Sequence, residues 1–207
     1  MCANPLARFG QLMAGPEAQI RLDEAALLIA STDHAVDIDA RLAELDGLAA
    51  AAPDGSVDGL CRHLFVAEGF AGNGDDYYEP ANSYLDAVLD RRLGIPITLA
   101  VVLMEVARRR GVVVEGVNAP GHFLVRAEGR VLDPFAGGRE VPDLVADEAP
   151  VVGAHVILGR MLANLKAVHI QRGDVTSLRQ VLRLRVAVPG VPESDKAELH
   201  RLEAGLN

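Results

Sequence analysis

The segment from Pro96 to Gly111, PITLAVVLMEVARRRG, constrains this chain more than any other stretch. It opens on a proline, which suits the first helical position because the N–H it lacks has no partner there. It closes on a glycine, which suits the residue just past a helix end. Between these limits apolar side chains fall on nearly every side of a helical wheel. A helix of that kind is buried. The spacing therefore predicts a central helix with the rest of the fold around it.

The pattern changes after Gly111. Residues 112–117, VVVEGV, are β-branched and read as a strand. HFLVRA and RVLDPF are short extended runs on either side of Glu128-Gly129, a hairpin signal weaker than Asn-Gly. GGREV reads as a turn into another short extended piece. On the N-terminal side, residues 16–50 have helical spacing, with Asp37 placed to cap a helix carrying Ile38, Leu42, Leu45 and Leu48. AAAAPDGS (49–56) is a connection. Residues 57–70 form a further predicted helix that Gly69 ends. Asn82 or Ser83 is placed to cap SYLDAVLDRRLG, which Gly94 stops. Apolar residues from Val156 to Val168 predict a helix stopped at Gly173, and two more helices follow. These signals divide the chain into a helical segment at 1–56, a core at 57–150 and C-terminal helices at 151–207. The helix–turn–helix around Gly173 resembles a single tetratricopeptide-type unit, too few for a solenoid.

The hairpin carries the chemistry. With Glu128-Gly129 as a two-residue loop, Ala127 opposes Arg130 and Leu124 opposes Asp133. Strand side chains alternate faces, so His122 shares a face with Leu124 and Asp133 and is a diagonal neighbour of Asp133. A carboxylate beside an imidazole fixes its tautomer and stabilises the imidazolium. Such a pair supplies the base and its orienting group in a nucleophile–base–orienter triad. It serves equally as a structural hydrogen bond at a strand end.

Composition narrows the classes. A formal net charge of −9 repels phosphate backbones, so nucleic acid is not an expected partner. Two cysteines, Cys2 and Cys61, make no disulfide framework and suit a reducing cytoplasm. The N-terminus lacks the pattern of a secretory leader. No uncharged apolar run reaches the ~18 residues of a membrane span, so no membrane association is expected. Asp75, Asp76 and Glu79 lack the alternating spacing of a calcium loop, and no zinc spacing or phosphate loop is present. Neither metal nor cofactor is expected. His34, His63, His155, His169 and His200 read as isolated surface or boundary residues. Arg91-Arg92 and Arg108-Arg109-Arg110 read as helix-end charges complementing the dipole.

The run YYEPANSYLDAVLDRRLGIPITLAVVLMEVARRRG, followed by APGHFLVR and VLDPFAGGR, resembles the SirB-type family of bacterial transglutaminase-like proteins. The resemblance implies an α+β fold, a papain/transglutaminase-like core in which one central helix packs on a small antiparallel sheet, with helical extensions at both ends. It also implies a cysteine nucleophile at the N-terminus of the central helix, where the dipole and free N–H groups favour a thiolate. His122 and Asp133 match the other two positions. The cysteine does not: that place falls at Pro96 or Ile97. Thr98 is one step away and carries a hydroxyl, a weak nucleophile that also suits bonding to its own backbone. Cys61, on the preceding helix, is the other candidate nucleophile, although free cysteines are commonly small buried hydrophobes. Tyr78, Asn82, Pro96 and Phe123 are the candidate binding residues of the cleft. The expected function is a non-catalytic, regulatory module binding a protein or peptide; the alternative is a cysteine-independent hydrolase or acyl transferase using His122 and Asp133 with water or Thr98.

Overall fold

Helices precede and follow a small sheet in the computed structural model, which describes residues 4–142, 144 and 150–204. In chain order the elements are α1 (Pro5–Ala14), α2 (Leu22–Ser31), α3 (Ile38–Ala51), α4 (Val57–Arg62), β1 (Ala71–Gly72), α5 (Leu85–Arg91), β2 (Leu93–Gly94), α6 (Pro96–Arg109), β3 (Glu115–Ala119), β4 (His122–Ala127), β5 (Arg130–Asp133), β6 (Arg139–Glu140), β7 (Val151–Val152), α7 (Ala154–Arg172), α8 (Val175–Arg185) and α9 (Glu193–Ala204). Two compact units result: residues 1–36 with 154–207, and residues 37–153.

The first unit is helical. Residues Leu22 to Ala30 of α2 are all buried, so this short helix is a core element rather than a surface one. Asp174 caps α8 by accepting from the Ser177 N–H at 3.0 Å. Asp195 of α9 is buried and meets Lys166 of α7 and Arg185 of α8, each at 2.6 Å. One carboxylate thus joins three helices, and the two cations offset the cost of burying it.

The second unit holds the α+β core that the sequence predicts. Its main sheet has five strands in the order β6-β5-β4-β3-β7, and every pairing is antiparallel. The β4–β5 register pairs Ala127 with Arg130, Arg126 with Val131 and Val125 with Leu132. Glu128 (φ 51°) and Gly129 (φ 73°) both take the left-handed region, as a two-residue hairpin loop requires. On one face Val117, Leu124 and Val131 form a small buried cluster with Ala119, Val141 and Leu144 against it. Phe123, Val125, Ala127 and Leu132 are buried on the other face. No residue of α6 belongs to the first cluster, so α6, which packs along β4, does so from the second face. Nearly every residue of α6 from Pro96 to Ala107 is buried, which makes it the central helix its composition demands.

Local differences from the sequence reading have identifiable causes. The helix from Val57 gives way to a π-helical turn over His63–Ala67 before Gly69 ends it. The strand expected at 112–117 begins at Glu115. Helix α5 stops at Arg92, which takes the left-handed conformation (φ 58°), two residues before the expected Gly94. The freed residues Leu93 and Gly94 pair in parallel with Ala71 and Gly72. Two histidines read as boundary residues are buried. His63 Nε2 lies 3.0 Å from the Leu48 carbonyl, and His169 lies 3.5 Å from Asp174. The arginine run closing α6 is compensated: Arg108 and Arg109 meet Glu105, and Arg109 also meets Asp46.

Candidate functional site

The hairpin brings His122 and Asp133 together. His122 is the first residue of β4 and Asp133 the last of β5, and His122 Nε2 lies 2.9 Å from Asp133 Oδ2. The carboxylate is held from its other side. Asp133 Oδ1 accepts from the Phe135 N–H at 2.9 Å and from the Ala136 N–H at 3.3 Å. These bonds cap a 3₁₀ turn over Pro134–Ala136. One oxygen therefore orients the carboxylate while the other orients the imidazole. Because Nε2 faces Asp133, Nδ1 is the ring nitrogen available for a proton or a ligand. The ring is about one-third exposed, so it is accessible.

The turn after Asp133 also builds the wall of the site. The Phe135 ring centroid lies 6.3 Å from that of His122, nearly perpendicular to it, and 6.2 Å from that of Tyr77. Phe135 rests on Gly72: a Cβ there would come within 2.5 Å of the ring, so glycine is what permits the approach. Tyr77 meets Tyr78 edge to face at 5.5 Å. Tyr77 is 39% exposed and Tyr78 55% exposed. Rings from Tyr78 to His122 thus form one aromatic lip.

Asn82 fixes that lip. Its side chain is fully buried. Nδ2 donates to the backbone carbonyls of Asp76 at 2.7 Å and Tyr77 at 3.3 Å. Oδ1 accepts from Asn73 Nδ2 at 3.1 Å and from Arg91 Nη1 at 3.3 Å. Asn82 does not cap α5: the N-cap residue is Tyr84, whose side chain makes no capping bond, and Ser83 is buried. The local reading of Asn82 as a cap is corrected to a loop-organising residue. Arg91 takes part in this organisation besides standing in the last turn of α5.

The start of α6 is closed by backbone bonding. Pro96 occupies the first helical position and Ile95 the N-cap. Thr98 Oγ1 accepts from the Ile95 N–H at 3.1 Å, the half of a capping box that reaches back to the N-cap. The hydroxyl also lies 2.7 Å from the Asn82 carbonyl and 3.1 Å from that of Ile95, both acceptors for its single proton. Thr98 is 0% exposed. Phe123 is buried on the sheet face opposite His122, and Pro96 is buried as well. Cys61 is 7% exposed, and burial, reinforced by the nearby Asp58, pushes its thiol up to about 11. A thiol so placed is a poor thiolate source. Cys2 lies outside the described residues. Among the described residues no group of three or more histidine, cysteine or acidic side chains is arranged to hold a metal. None of the helices among them is long and apolar enough to cross a membrane.

Residues 19–149 match the model of the transglutaminase-like superfamily. The chain belongs to that superfamily. It is 42% identical over 161 residues to a UPF0162 protein of Xylella fastidiosa (strain 9a5c), covering 64% of this chain and 56% of that protein. It is 33% identical over 182 residues to the UPF0162 protein PA3419 of Pseudomonas aeruginosa, covering 79% of this chain and 64% of that one. It is 34% identical over 172 residues to the F-box only protein 21 of Homo sapiens, covering 72% of this chain and 27% of that one. The chain thus spans about half the length of the first of these relatives and a quarter of the last. No solved structure gives a significant match.

Tyr77 and Phe135 are the site residues that sequence reasoning missed. Tyr77 had a signal in its adjacency to Tyr78. Phe135 had one in following Asp133-Pro134, a pairing that starts a turn.

Proposed function

We propose that this chain is a non-catalytic transglutaminase-like module of the SirB type, and that its cleft at His122 and Asp133 binds a protein or peptide partner in a cytoplasmic, regulatory role. In this reading α7 and α8 act as a tetratricopeptide-like pair offering a second contact surface. The observation that carries it is the start of α6. The resemblance puts a transglutaminase nucleophile at Pro96 or Ile97, neither of which can attack, and the neighbouring Thr98 hydroxyl is buried in backbone hydrogen bonds. Cys61 is buried and its thiol is held protonated at neutral pH. The occurrence of similar regions inside longer bacterial proteins and an animal F-box protein supports a module joined to different neighbours.

A photoreactive residue replacing Tyr78 tests the cleft. It is expected to capture a discrete partner from a bacterial lysate, with capture lost on adding His122→Ala. Capture unchanged by that substitution overturns the cleft reading.

One observation favours a second reading, a hydrolase. The His122–Asp133 pair is fully assembled, with the carboxylate oriented on both oxygens. His122 Nδ1 would then activate a water molecule as general base.

A further inference from the structure

The aromatic lip is an unusual placement for this chain. Aromatic residues make up 4% of the sequence, with no Trp and three Tyr. Two of those three stand side by side at Tyr77 and Tyr78, and both are exposed, whereas Tyr84, Phe9, Phe70 and Phe123 are buried. Their loop is not slack. Asn82 ties it down through two side-chain donors, Asn73 and Arg91 brace Asn82, and the Asp76 N–H donates to Asn73 Oδ1 at 3.1 Å. A buried amide used to hold exposed rings in place creates a preorganised surface, which lowers the ordering cost of binding. Tyrosine is enriched at interfaces and among the residues that carry most binding energy.

Charge selects the occupant. The rings are flanked in the same loop by the exposed Asp75 and Asp76 and by the half-buried Glu79, which accepts from the Ala81 N–H, and the Asp133 carboxylate stands behind Phe135. Tyrosine faces attract cations through the ring quadrupole, and adjacent carboxylates reinforce that attraction. The same carboxylates repel acidic peptides. We infer that the Tyr77–Tyr78 lip docks a peptide segment bearing lysine or arginine, with the cationic group over the exposed rings and the carboxylates of Asp75 and Asp76 around it. This inference rests on the cleft-binding reading above and names the partner's chemistry.

The test uses the full chain and fluorescence anisotropy with three labelled twelve-residue peptides of the same length, lysine-rich, neutral and glutamate-rich. The lysine-rich peptide is expected to bind and to weaken as salt rises. Tyr77→Ser/Tyr78→Ser and Asp75→Asn/Asp76→Asn are each expected to weaken it roughly fivefold or more. The control Asp39→Asn/Glu193→Gln makes the same change in net charge at exposed positions outside that loop, and is expected to leave binding unchanged. Circular dichroism melts confirm that each variant is folded. Binding of the neutral or acidic peptide as tight as the basic one overturns the inference. So does an equal loss in the charge control, or basic-peptide binding unmoved by both loop variants. The two readings fail separately. If basic-peptide binding ignores the loop variants yet Tyr78-site capture depends on His122, the cleft reading stands and the cationic partner falls. If basic-peptide binding follows the loop variants yet capture ignores His122, the lip stands and the His122 cleft falls.

Discussion

The Thr98 side chain and the Asn82 carbonyl are joined by a hydrogen bond of 2.7 Å that ties the first turn of α6 to the loop carrying the aromatic lip. The same hydroxyl accepts from the Ile95 N–H, and the Asn82 side chain holds the carbonyls of Asp76 and Tyr77. Thr98 therefore acts as a fastening between the helix start and the loop. A residue so engaged has neither a free proton to give a base nor an exposed oxygen to attack with.

Replacing Thr98 with Val keeps the shape and removes the hydroxyl. The Asn82 carbonyl and Ile95 N–H then lose the hydroxyl and keep only their long bond to each other, of 3.4 Å, at a cost of about 1 kcal/mol. Thr98→Ser retains both bonds and is expected to recover most of that loss. Urea denaturation of the three proteins checks the order. Equal stability of the Val and Ser variants would remove the fastening role.

Gly129 is expected to resist substitution for a reason confined to the backbone. Its φ of 73° is left-handed, and a Cβ there would meet no atom within 4 Å. Gly129→Ala should therefore cost roughly 1–2 kcal/mol from conformation alone. The β4–β5 register sets the approach of Asp133 to His122, so the variant should also broaden or shift the His122 ring proton signals in NMR. A variant as stable as wild type would contradict the turn assignment.

Cys61 is expected to react slowly with iodoacetamide at pH 8 in the folded protein and at the rate of an ordinary thiol in denaturant, measured in a Cys2→Ser background. Burial raises its pKa from 9.0 to about 11. A raised folded pKa means that the folded state binds more protons than the unfolded one between those values. The contribution to stability is fully present below pH 9 and is lost as pH rises through about 11. The stability difference between this protein and its Cys61→Ala variant should shrink over that window in favour of the variant. Rapid modification of the folded protein would mean that the thiol is accessible.

His169 gives the opposite sign. Burial lowers its pKa from 6.5, outweighing the attraction of Asp174. The folded state prefers the neutral ring, so the contribution is present above pH 6.5 and is lost as pH falls below it. His169→Gln is expected to flatten the decline in melting temperature between pH 6.5 and 5. An unchanged acid limb would show that other groups set it.

Much of this architecture was legible because its signals are local. Pro96 and Gly111 bracket an apolar stretch that has only one stable placement, inside. Glu128-Gly129 sets a two-residue loop, and strand alternation then puts His122 and Asp133 on one face. The resemblance to transglutaminase-like proteins supplied the α+β core. What escaped was tertiary. Asn82 has a good capping side chain, yet the carbonyls of Asp76 and Tyr77 and the Asn73 and Arg91 side chains compete for it and win. Arg92 adopts a left-handed conformation usually left to glycine, where its guanidinium stacks 4.6 Å over Phe70 and meets Glu44 at 3.1 Å. Phe123 alternates onto the buried face, as the same arithmetic that paired His122 with Asp133 requires. The approach of Phe135 to Gly72 depends on residues far apart in sequence, and no periodicity reports it.

In the proposed reading the His122–Asp133 pair has no nucleophile to activate. The most direct test is steady-state hydrolysis of a panel of activated esters and peptide anilides by the wild-type protein and His122→Ala. Wild-type rates are expected to match those of His122→Ala across the panel. Turnover by wild type that is abolished in His122→Ala would contradict it.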